Sequence, residues 1–364
     1  MTGRVNLFSP CPSLSSSSCS IVMVFLFVLV FLCFSNIVAL NATFPAVILF
    51  GDSIVDQGNN NYLRTFVKCD FPPYGKDFPG GVPTGRFCNG KTPADLIAQK
   101  LGIKEFVPAY LDPNLQPEDL LTGVSFASGG TGFDPETSTI TSVLSPSDQL
   151  QMFREYIVKL ESVAGEEKTS NILANGLFLL VAGTNDLTNT YFTVGQRRLQ
   201  YDVSSYADFL AASASQFTKE IYKLGARKIL VFGAPPIGCL PVQRTLAGGV
   251  GRECVEPRNQ AAQLYNSKLS AALDSLNRSL NKAEPKSRVI YVDIYSPLLD
   301  IIQNHKKYGF AVVDKGCCGT GKLEVAILCN KLTKTCPDAS SHLFWDIFHP
   351  TEKGYRVILD KILP

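Results

Sequence analysis

The stretch Ala46-Val-Ile-Leu-Phe-Gly-Asp-Ser53-Ile-Val-Asp-Gln-Gly-Asn-Asn-Asn61 joins an apolar run to a polar turn that carries a serine. Five apolar residues in succession, Ala46 to Phe50, indicate a central parallel strand, because both faces of such a strand are covered. Ligands of open α/β sheets bind at the carboxyl ends of the strands, which is where the turn would place Ser53. Ser53 is therefore a candidate nucleophile, although a serine in such a turn more often caps the following helix.

The rest of the chain alternates predicted strands and helices, a pattern that gives a parallel sheet with helices on both faces. Four of the predicted strands end in glycine-containing polar turns, which places a site at one edge of the sheet. No repeat or linker interrupts the pattern, so residues 44–364 are expected to form a single domain. Strands are predicted at residues 124–127, 177–181, 228–232 and 289–294, and helices at residues 94–101, 150–160, 206–224, 260–280 and 350–362, with another beginning at Ser296.

The amino-terminal region predicts export. Residues 21–34 are fourteen consecutive apolar residues, which is short for a membrane span and typical of a signal peptide. We expect a signal peptide over residues 1–40, cleaved near Ala39 to Ala42, and a secreted, extracellular protein without a stable membrane anchor; a retained signal anchor is the alternative. Asn41 and Asn277 begin N-glycosylation sequons, which agree with secretion.

The composition and the cysteines further restrict the partners and the type of site that the sequence predicts. A net charge of +2 without basic clusters argues against a nucleic-acid partner. Eight cysteines follow the predicted signal peptide, and an oxidising compartment would pair them. Spacing suggests the pairs Cys69 with Cys88 and Cys239 with Cys254, and it leaves open the order in which Cys317 and Cys318 join Cys329 and Cys336. No Cys-x-x-Cys occurs and histidines are few, so no metal site is expected.

A phosphate-binding pattern is present but lacks its structural context. Residues 85–92 match G-x-x-x-x-G-K-[ST], but that motif works only after a buried strand, and the preceding residues are not strand-like. Nucleotide binding is therefore disfavoured. Thr92 and Pro93 instead predict the N-cap and first residue of a helix.

Nucleophilic catalysis by a serine needs a base, an acid that orients the base, and donors for an oxyanion. The mature chain offers His305, His342 and His349. Asp346 precedes His349 by three residues and can reach its Nδ1, so this pair is favoured. The turn at residues 128–130 and the side chain of Asn185 could supply oxyanion donors, although each could equally be an ordinary βα turn. The chain lacks a G-x-S-x-G elbow, which disfavours an ordinary α/β-hydrolase.

Four blocks follow one another in the chain: Gly51-Asp-Ser53, residues 125–130, residues 183–186 and Asp346-Ile-Phe-His349. In this order they resemble the blocks of the GDSL (SGNH) esterase/lipase family. Pro72-Pro-Tyr-Gly75 and residues 83–87 resemble its secreted plant branch, of the extracellular lipase type. The family's leucine after the serine is Ile54 here, a small change.

The resemblance implies a flavodoxin-like three-layer α/β/α sandwich with a central parallel sheet, the SGNH hydrolase fold. It also implies Ser53 as nucleophile, His349 as base and then acid, and Asp346 as its orienting partner. The implied oxyanion donors are the amides of Ser53 and Gly129, with Gly130 as the alternative to Gly129, and the side chain of Asn185. No metal or organic cofactor is implied.

The resemblance indicates an esterase or lipase acting on a small-molecule or lipid ester. The same site would also suit an acyltransferase or a polysaccharide acetylesterase, and the scaffold could serve a non-catalytic secreted binding protein. The acyl chain, the alcohol and the oligomeric state cannot be read from the sequence.

Overall fold

The computed structural model describes residues 44–283 and 288–363. The predicted signal peptide, its cleavage region and the sequon at Asn41 lie outside the described residues. Asn277 lies within a long helix, half-buried, and its side-chain oxygen accepts a hydrogen bond from the N–H of Val289 at 3.3 Å. Glycosylation at both positions therefore stays a prediction.

Four parallel strands form the central sheet in the order β1-β2-β3-β4. These strands are β1 (Val47–Gly51), β2 (Leu177–Val181), β3 (Lys228–Phe232) and β4 (Arg288–Val292). Residues 124–127, predicted as a strand, run parallel to the free edge of β1: Leu49 donates to the carbonyl of Val124 at 3.1 Å and accepts from Phe126 at 2.8 Å. They form only an isolated bridge to β1 at Leu49, and Ser125 also bridges to Ala109 on its other side. The resulting order, with β1 between residues 124–127 and β2, is that of a flavodoxin-like sheet.

Helices cover both faces of this sheet, because the side chains of each strand alternate between two cores. Ile48 and Phe50 belong to one core, packed against the helices at residues 146–164, 203–223 and 256–283, while Val47 and Leu49 belong to the other, packed against the helices at residues 93–100 and 352–362. The predicted three-layer α/β/α sandwich is therefore confirmed. The α-helices are α1 (Pro93–Lys100), α2 (Pro117–Thr122), α3 (Pro135–Thr141), α4 (Pro146–Ala164), α5 (Glu166–Asn175), α6 (Val203–Lys223), α7 (Pro241–Ala247), α8 (Glu256–Ala283), α9 (Tyr295–Gln303) and α10 (Glu352–Ile362).

A second, two-stranded parallel sheet was not predicted. It consists of β5 (Val312–Gly316) and β6 (His342–Phe344), and the pairing continues beyond β5 where Cys318 donates to the carbonyl of Trp345 at 2.8 Å. The cysteines of this region form the pairs Cys317–Cys336 and Cys318–Cys329, which settles the order that the sequence left open. The predicted pair Cys239–Cys254 is present.

The predicted pair Cys69 with Cys88 is wrong, since both cysteines are free and buried. Their side chains point into different clusters: Cys69 packs with Tyr74 and Trp345, whereas Cys88 packs with the core beneath β1 and α1. Closeness in sequence therefore did not bring the two sulfur atoms together.

The segment that matched the phosphate-binding pattern has a structural role. Thr92 and Asp95 form a reciprocal capping box at the start of α1, with Pro93 at its first position, as predicted. The Nζ of Lys91 lies 3.1 Å from carboxylate oxygen Oε1 of Glu105 and over the ring of Phe106. The ammonium group that would bind a phosphate is therefore already in contact with Glu105 and Phe106.

No helix within residues 44–283 and 288–363 combines the length and the apolar character needed to span a membrane.

Candidate active site

Ser53, His349 and Asp346 are joined by hydrogen bonds at the carboxyl end of β1. Ser53 Oγ lies 2.7 Å from Nε2 of His349, and Nδ1 of His349 lies 2.9 and 2.8 Å from the two carboxylate oxygens of Asp346. The three residues are 8%, 4% and 0% exposed. With the proton of His349 on Nδ1, facing the carboxylate, Nε2 can accept the hydroxyl proton of Ser53.

The serine turn is fixed by close backbone packing. Gly51 has φ +130°, and a Cβ atom there would lie 1.9 Å from the carbonyl oxygen of Val181, so only glycine fits. The buried side chain of Gln149 accepts from the N–H of Gly51 at 2.9 Å and donates to its carbonyl at 3.0 Å. Ser53 therefore follows a backbone segment whose polar groups are all satisfied. The sequence analysis missed Gln149, which directly precedes the helix predicted at residues 150–160.

The loop that carries Asp346 and His349 is held by backbone and side-chain hydrogen bonds. Trp345 donates to the carbonyl of His349 at 2.7 Å, which closes the loop. Oδ1 of Asp346 accepts from the N–H groups of Phe348 and His349, both at 2.8 Å. These contacts orient the carboxylate towards the imidazole.

Tyr74 supplies a further contact that sequence reasoning missed. Its hydroxyl donates to Oδ2 of Asp346 at 2.8 Å and accepts from the N–H of Ala326 at 3.0 Å. Burial raises the pKa of Tyr74 well above its ordinary value, so the hydroxyl remains a neutral donor. The one available signal was its place in Pro72-Pro-Tyr-Gly75, a motif noted only as part of the resemblance.

The candidate oxyanion donors differ in whether their N–H groups already donate to an acceptor within the protein. The described residues offer no acceptor to the amide of Ser53 or of Gly130. Asn185 donates one N–H to the carbonyl of Thr131 at 2.9 Å, which leaves its second N–H for another acceptor. The N–H of Gly129, by contrast, donates to Oδ2 of Asp56 at 2.9 Å.

Two asparagines that follow Ser53 in the chain fix the turn at residues 128–130 by hydrogen bonds. Asn59 donates to the carbonyls of Ser125 and Ala127 at 2.9 and 2.8 Å, and Asn60 donates to the carbonyl of Gly129 at 2.9 Å. Both side chains are buried. The turn at residues 128–130 is thus fixed against the segment that follows Ser53.

Three buried aspartates surround the serine turn. Burial raises the pKa of Asp52 to about 7 and the pKa values of Asp56 and Asp186 to about 6. Asp186 accepts from the N–H groups of Phe133 and Asp134 at 2.8 and 3.1 Å, which joins the turn after β2 to the segment that follows residues 128–130. These buried carboxyl groups lie between the turns at the carboxyl edge of the sheet.

An apolar pocket opens beside Ser53 and His349. Besides Ser53 and His349, the polar residues of its lining are Asp52, Thr184, Asn185 and Tyr355. The remaining walls come from the sheet, α1, α9 and α10. Such a lining suits an apolar substrate group next to a polar reacting centre.

The other two histidines lie elsewhere. His305 contacts the carbonyl of Phe310 through Nδ1 at 2.7 Å, and His342 contacts Oγ of Ser341 at 3.0 Å. Within the described part of the chain, no three His, Cys, Asp or Glu side chains are grouped so as to hold a metal ion.

A parallel sheet that carries a hydrogen-bonded Ser-His-Asp set at its carboxyl edge defines a serine hydrolase of α/β architecture. The chain belongs to the GDSL-like lipase/acylhydrolase family, whose model matches residues 47–362. It is thus a serine hydrolase of ester bonds with a small-molecule ester as substrate.

Curated relatives extend over most of the chain. The GDSL esterase/lipase EXL3 of Arabidopsis thaliana is 58% identical over 320 residues, which cover 88% of this chain and 86% of the relative. EXL2 of the same plant is 51% identical over 355 residues, covering 92% and 93%. A solved phospholipase A1 of Streptomyces albidoflavus NA297 is 14% identical with a TM-score of 0.38, covers 87% of this chain and 99% of its own, and adds nothing to the assignment.

Proposed function

We propose that the protein is a secreted esterase or lipase that cleaves carboxylic esters through an acyl-enzyme on Ser53. The observation that carries this proposal is the chain of short contacts from Ser53 Oγ to Nε2 of His349 and from its Nδ1 to Asp346. The apolar pocket that begins at the serine supports an acyl group as the part of the substrate bound there.

In the first half of the reaction, Ser53 Oγ attacks the ester carbonyl while Nε2 of His349 takes the hydroxyl proton. Asp346 keeps the other ring nitrogen protonated and stabilises the imidazolium. The tetrahedral intermediate collapses, and the alcohol leaves with the proton that His349 returns. Water then attacks the acyl-enzyme, again through His349, and releases the carboxylic acid and the free serine.

Backbone and side-chain N–H groups would hold the oxyanion of both intermediates. The Ser53 amide and the second N–H of Asn185 are proposed as two donors, since neither has another acceptor among the described residues. For the third we propose Gly129. Its N–H would have to be shared with or released from Asp56, and Gly130, whose N–H has no acceptor in the described chain, is the alternative.

Secretion is proposed from the apolar residues 21–34 together with the six cysteines that form disulfides. Disulfides persist in oxidising compartments, which agrees with an exported enzyme. Detection of the mature chain in the medium of expressing plant cells, cleaved near residues 39–42, would test this part of the proposal.

The catalytic assignment is tested on purified protein with a fluorophosphonate label and a short-chain nitrophenyl ester. Wild type should label and turn over, Ser53→Ala should do neither, and Lys91→Ala should retain both because Lys91 contacts Glu105 and Phe106. If folded wild type neither labels nor hydrolyses, the binding-protein alternative replaces this proposal. Competing glycerol in the assay separates hydrolysis from acyl transfer by its products.

A further inference from the structure

The pocket beside Ser53 has a second cavity next to it. Ile97 of α1 and Ile362 of α10 line both cavities, so the two meet between these helices and the sheet. The second cavity continues towards the amino ends of the strands and is lined by Leu177, Leu230 and Ile290. The two adjoining cavities extend beneath α1 and α10, and we call them together the channel.

The register of the sheet gives the channel its direction. Side chains on this face form three rows across the strands. The first row, nearest Ser53, consists of Val181 and Phe232. The middle row consists of Leu179, Leu230 and Ile290. The last row consists of Leu177, Lys228 and Arg288.

The middle of the channel lacks a full cover of protein atoms. Leu230 is only partly buried and Ile290 is 46% exposed, although both lie on the face that α1 and α10 cover further along. Apolar side chains facing a cavity lose contacts that an apolar ligand would restore. Ser53, which would carry the acyl group, lines the first cavity, so the acyl chain is the ligand that would enter it.

We propose that this channel binds the acyl chain of the substrate and makes the enzyme selective for medium-chain fatty acyl esters. The inference rests on the proposed acyl-enzyme at Ser53. From Phe232 to Lys228 the strand advances four residues, about 13 Å, which is the extended length of roughly ten carbon atoms.

The far end of the channel limits the chain length. Lys100, Lys228 and Arg288 line it, and their charged groups remain hydrated at the surface. Methylene groups beyond about the tenth carbon would leave the apolar walls and enter water, so they would add no binding. The kcat/KM value should therefore rise with the length of the acyl chain and then level off.

The test measures kcat/KM for nitrophenyl esters from acetyl to dodecanoyl, below their aggregation limits. A buried methylene is worth up to about fourfold, so kcat/KM should increase with each added methylene and level off near ten carbons. A parallel series of acetate esters with longer alcohols should show no such increase. An equal increase in the alcohol series, or a flat acyl series, would overturn the inference.

Two substitutions locate the effect in the channel. Ile362→Trp fills the junction of the cavities and Ile290→Trp fills the second cavity from a half-exposed position that tolerates bulk. Each should lower the ratio of decanoyl to acetyl kcat/KM by at least about tenfold. Val158→Trp is the control, because Val158 is 67% exposed on α4, which packs against the opposite face.

The outcomes separate this inference from the function on which it depends. Fluorophosphonate labelling and acetyl-ester turnover with an unchanged decanoyl to acetyl ratio in both variants would overturn the channel and leave the serine esterase standing. Absence of labelling and of all ester turnover in folded protein would overturn both. A loss of the chain-length increase in both variants, with Val158→Trp unchanged, supports the channel.

Discussion

At the scale of single residues, Tyr74 shows how Asp346 is positioned by a distant part of the chain. Tyr74 and Asp346 are 272 residues apart in sequence, and their side chains meet at 2.8 Å. The tyrosine does not line the pocket beside Ser53. Its link to the Ser-His-Asp set is therefore the hydrogen bond to Asp346.

We expect Tyr74→Phe to lower kcat by about tenfold with little change in KM, because a hydrogen bond to a charged group is lost while the pocket is kept. Steady-state kinetics of the short-chain ester would measure this split. Tyr62→Phe is the control, since Tyr62 is 48% exposed. An unchanged kcat in Tyr74→Phe would remove the tyrosine from the positioning of Asp346.

Asn185 is the residue whose replacement tests the oxyanion site. Asn185→Ala should lower kcat by roughly 10² to 10³, the usual effect of losing one oxyanion donor. Its carbonyl oxygen accepts from Asn189 at 3.1 Å, so Asn189→Ala tests whether the amide also needs orientation and should cost less. A normal kcat for Asn185→Ala in folded protein would exclude it as a donor.

At the scale of elements, the three turns of the site are fixed by buried side chains more than by regular structure. Asn59 makes two donor contacts to residues 125 and 127 and accepts from the N–H of Leu111 at 3.0 Å. A single amide thus joins the serine turn, the edge of the sheet and the segment at Leu111. Replacing it should disturb all three together.

Asn59→Ala should lower the free energy of unfolding by about 2 to 4 kcal/mol, because buried backbone groups lose their partners. Urea unfolding followed by circular dichroism would measure the change. The matched control is Asn114→Ala, since the side chain of Asn114 makes its hydrogen bonds at the surface. A loss no larger than that of the control would mean that the turn is held by other contacts.

Elements with a strong local pattern could be predicted from the sequence, and elements made by distant contacts could not. The apolar runs of β2 and β3 predicted both strands with the bounds that the structure shows. β6 has only three residues and β5 ends in Asp314, Lys315 and Gly316, so neither carries a strand pattern. Both depend on pairing with each other.

The residues of the candidate site also divide into those that a local motif predicts and those that depend on distant contacts. Ser53, Asp346 and His349 were predicted because each lies in a short motif, and the structure brings their side chains together, while their catalytic roles stay predictions. Gln149 and Tyr74 were missed because their polar contacts cross 98 and 272 residues of sequence. The pairing of Cys69 with Cys88 failed because sequence spacing does not say which cluster a side chain enters.

At the scale of the whole molecule, buried carboxyl groups make stability depend on pH. Folded Asp52 keeps its proton up to its raised pKa of about 7, whereas the unfolded carboxyl releases it near the ordinary pKa of 3.8. Between these values unfolding releases a proton, so the contribution of Asp52 to stability falls as the pH rises. Asp56 and Asp186, with pKa values of about 6, act in the same direction.

Asp52→Asn isolates this effect, because the amide oxygen can still accept from the N–H of Ile54. The unfolding free energy of wild type minus that of the variant should fall by about 1.4 kcal/mol per pH unit between roughly pH 4.5 and 6.5. Urea unfolding of both proteins at three pH values in this window gives the slope. A difference that stays constant would contradict protonation of Asp52 in the folded protein.

The contact between Tyr74 and the N–H of Ala326 has a practical consequence for recombinant work. Ala326 lies between Cys318 and Cys329, inside both disulfide loops of that region. Protein made in a reducing bacterial cytoplasm would lack these crosslinks and hence the support of Tyr74 and Asp346, so a soluble preparation could give a negative assay. Thiol quantification before any kinetic comparison would show whether the disulfides of a preparation have formed; with all three formed, residues 44–364 should carry two free thiols.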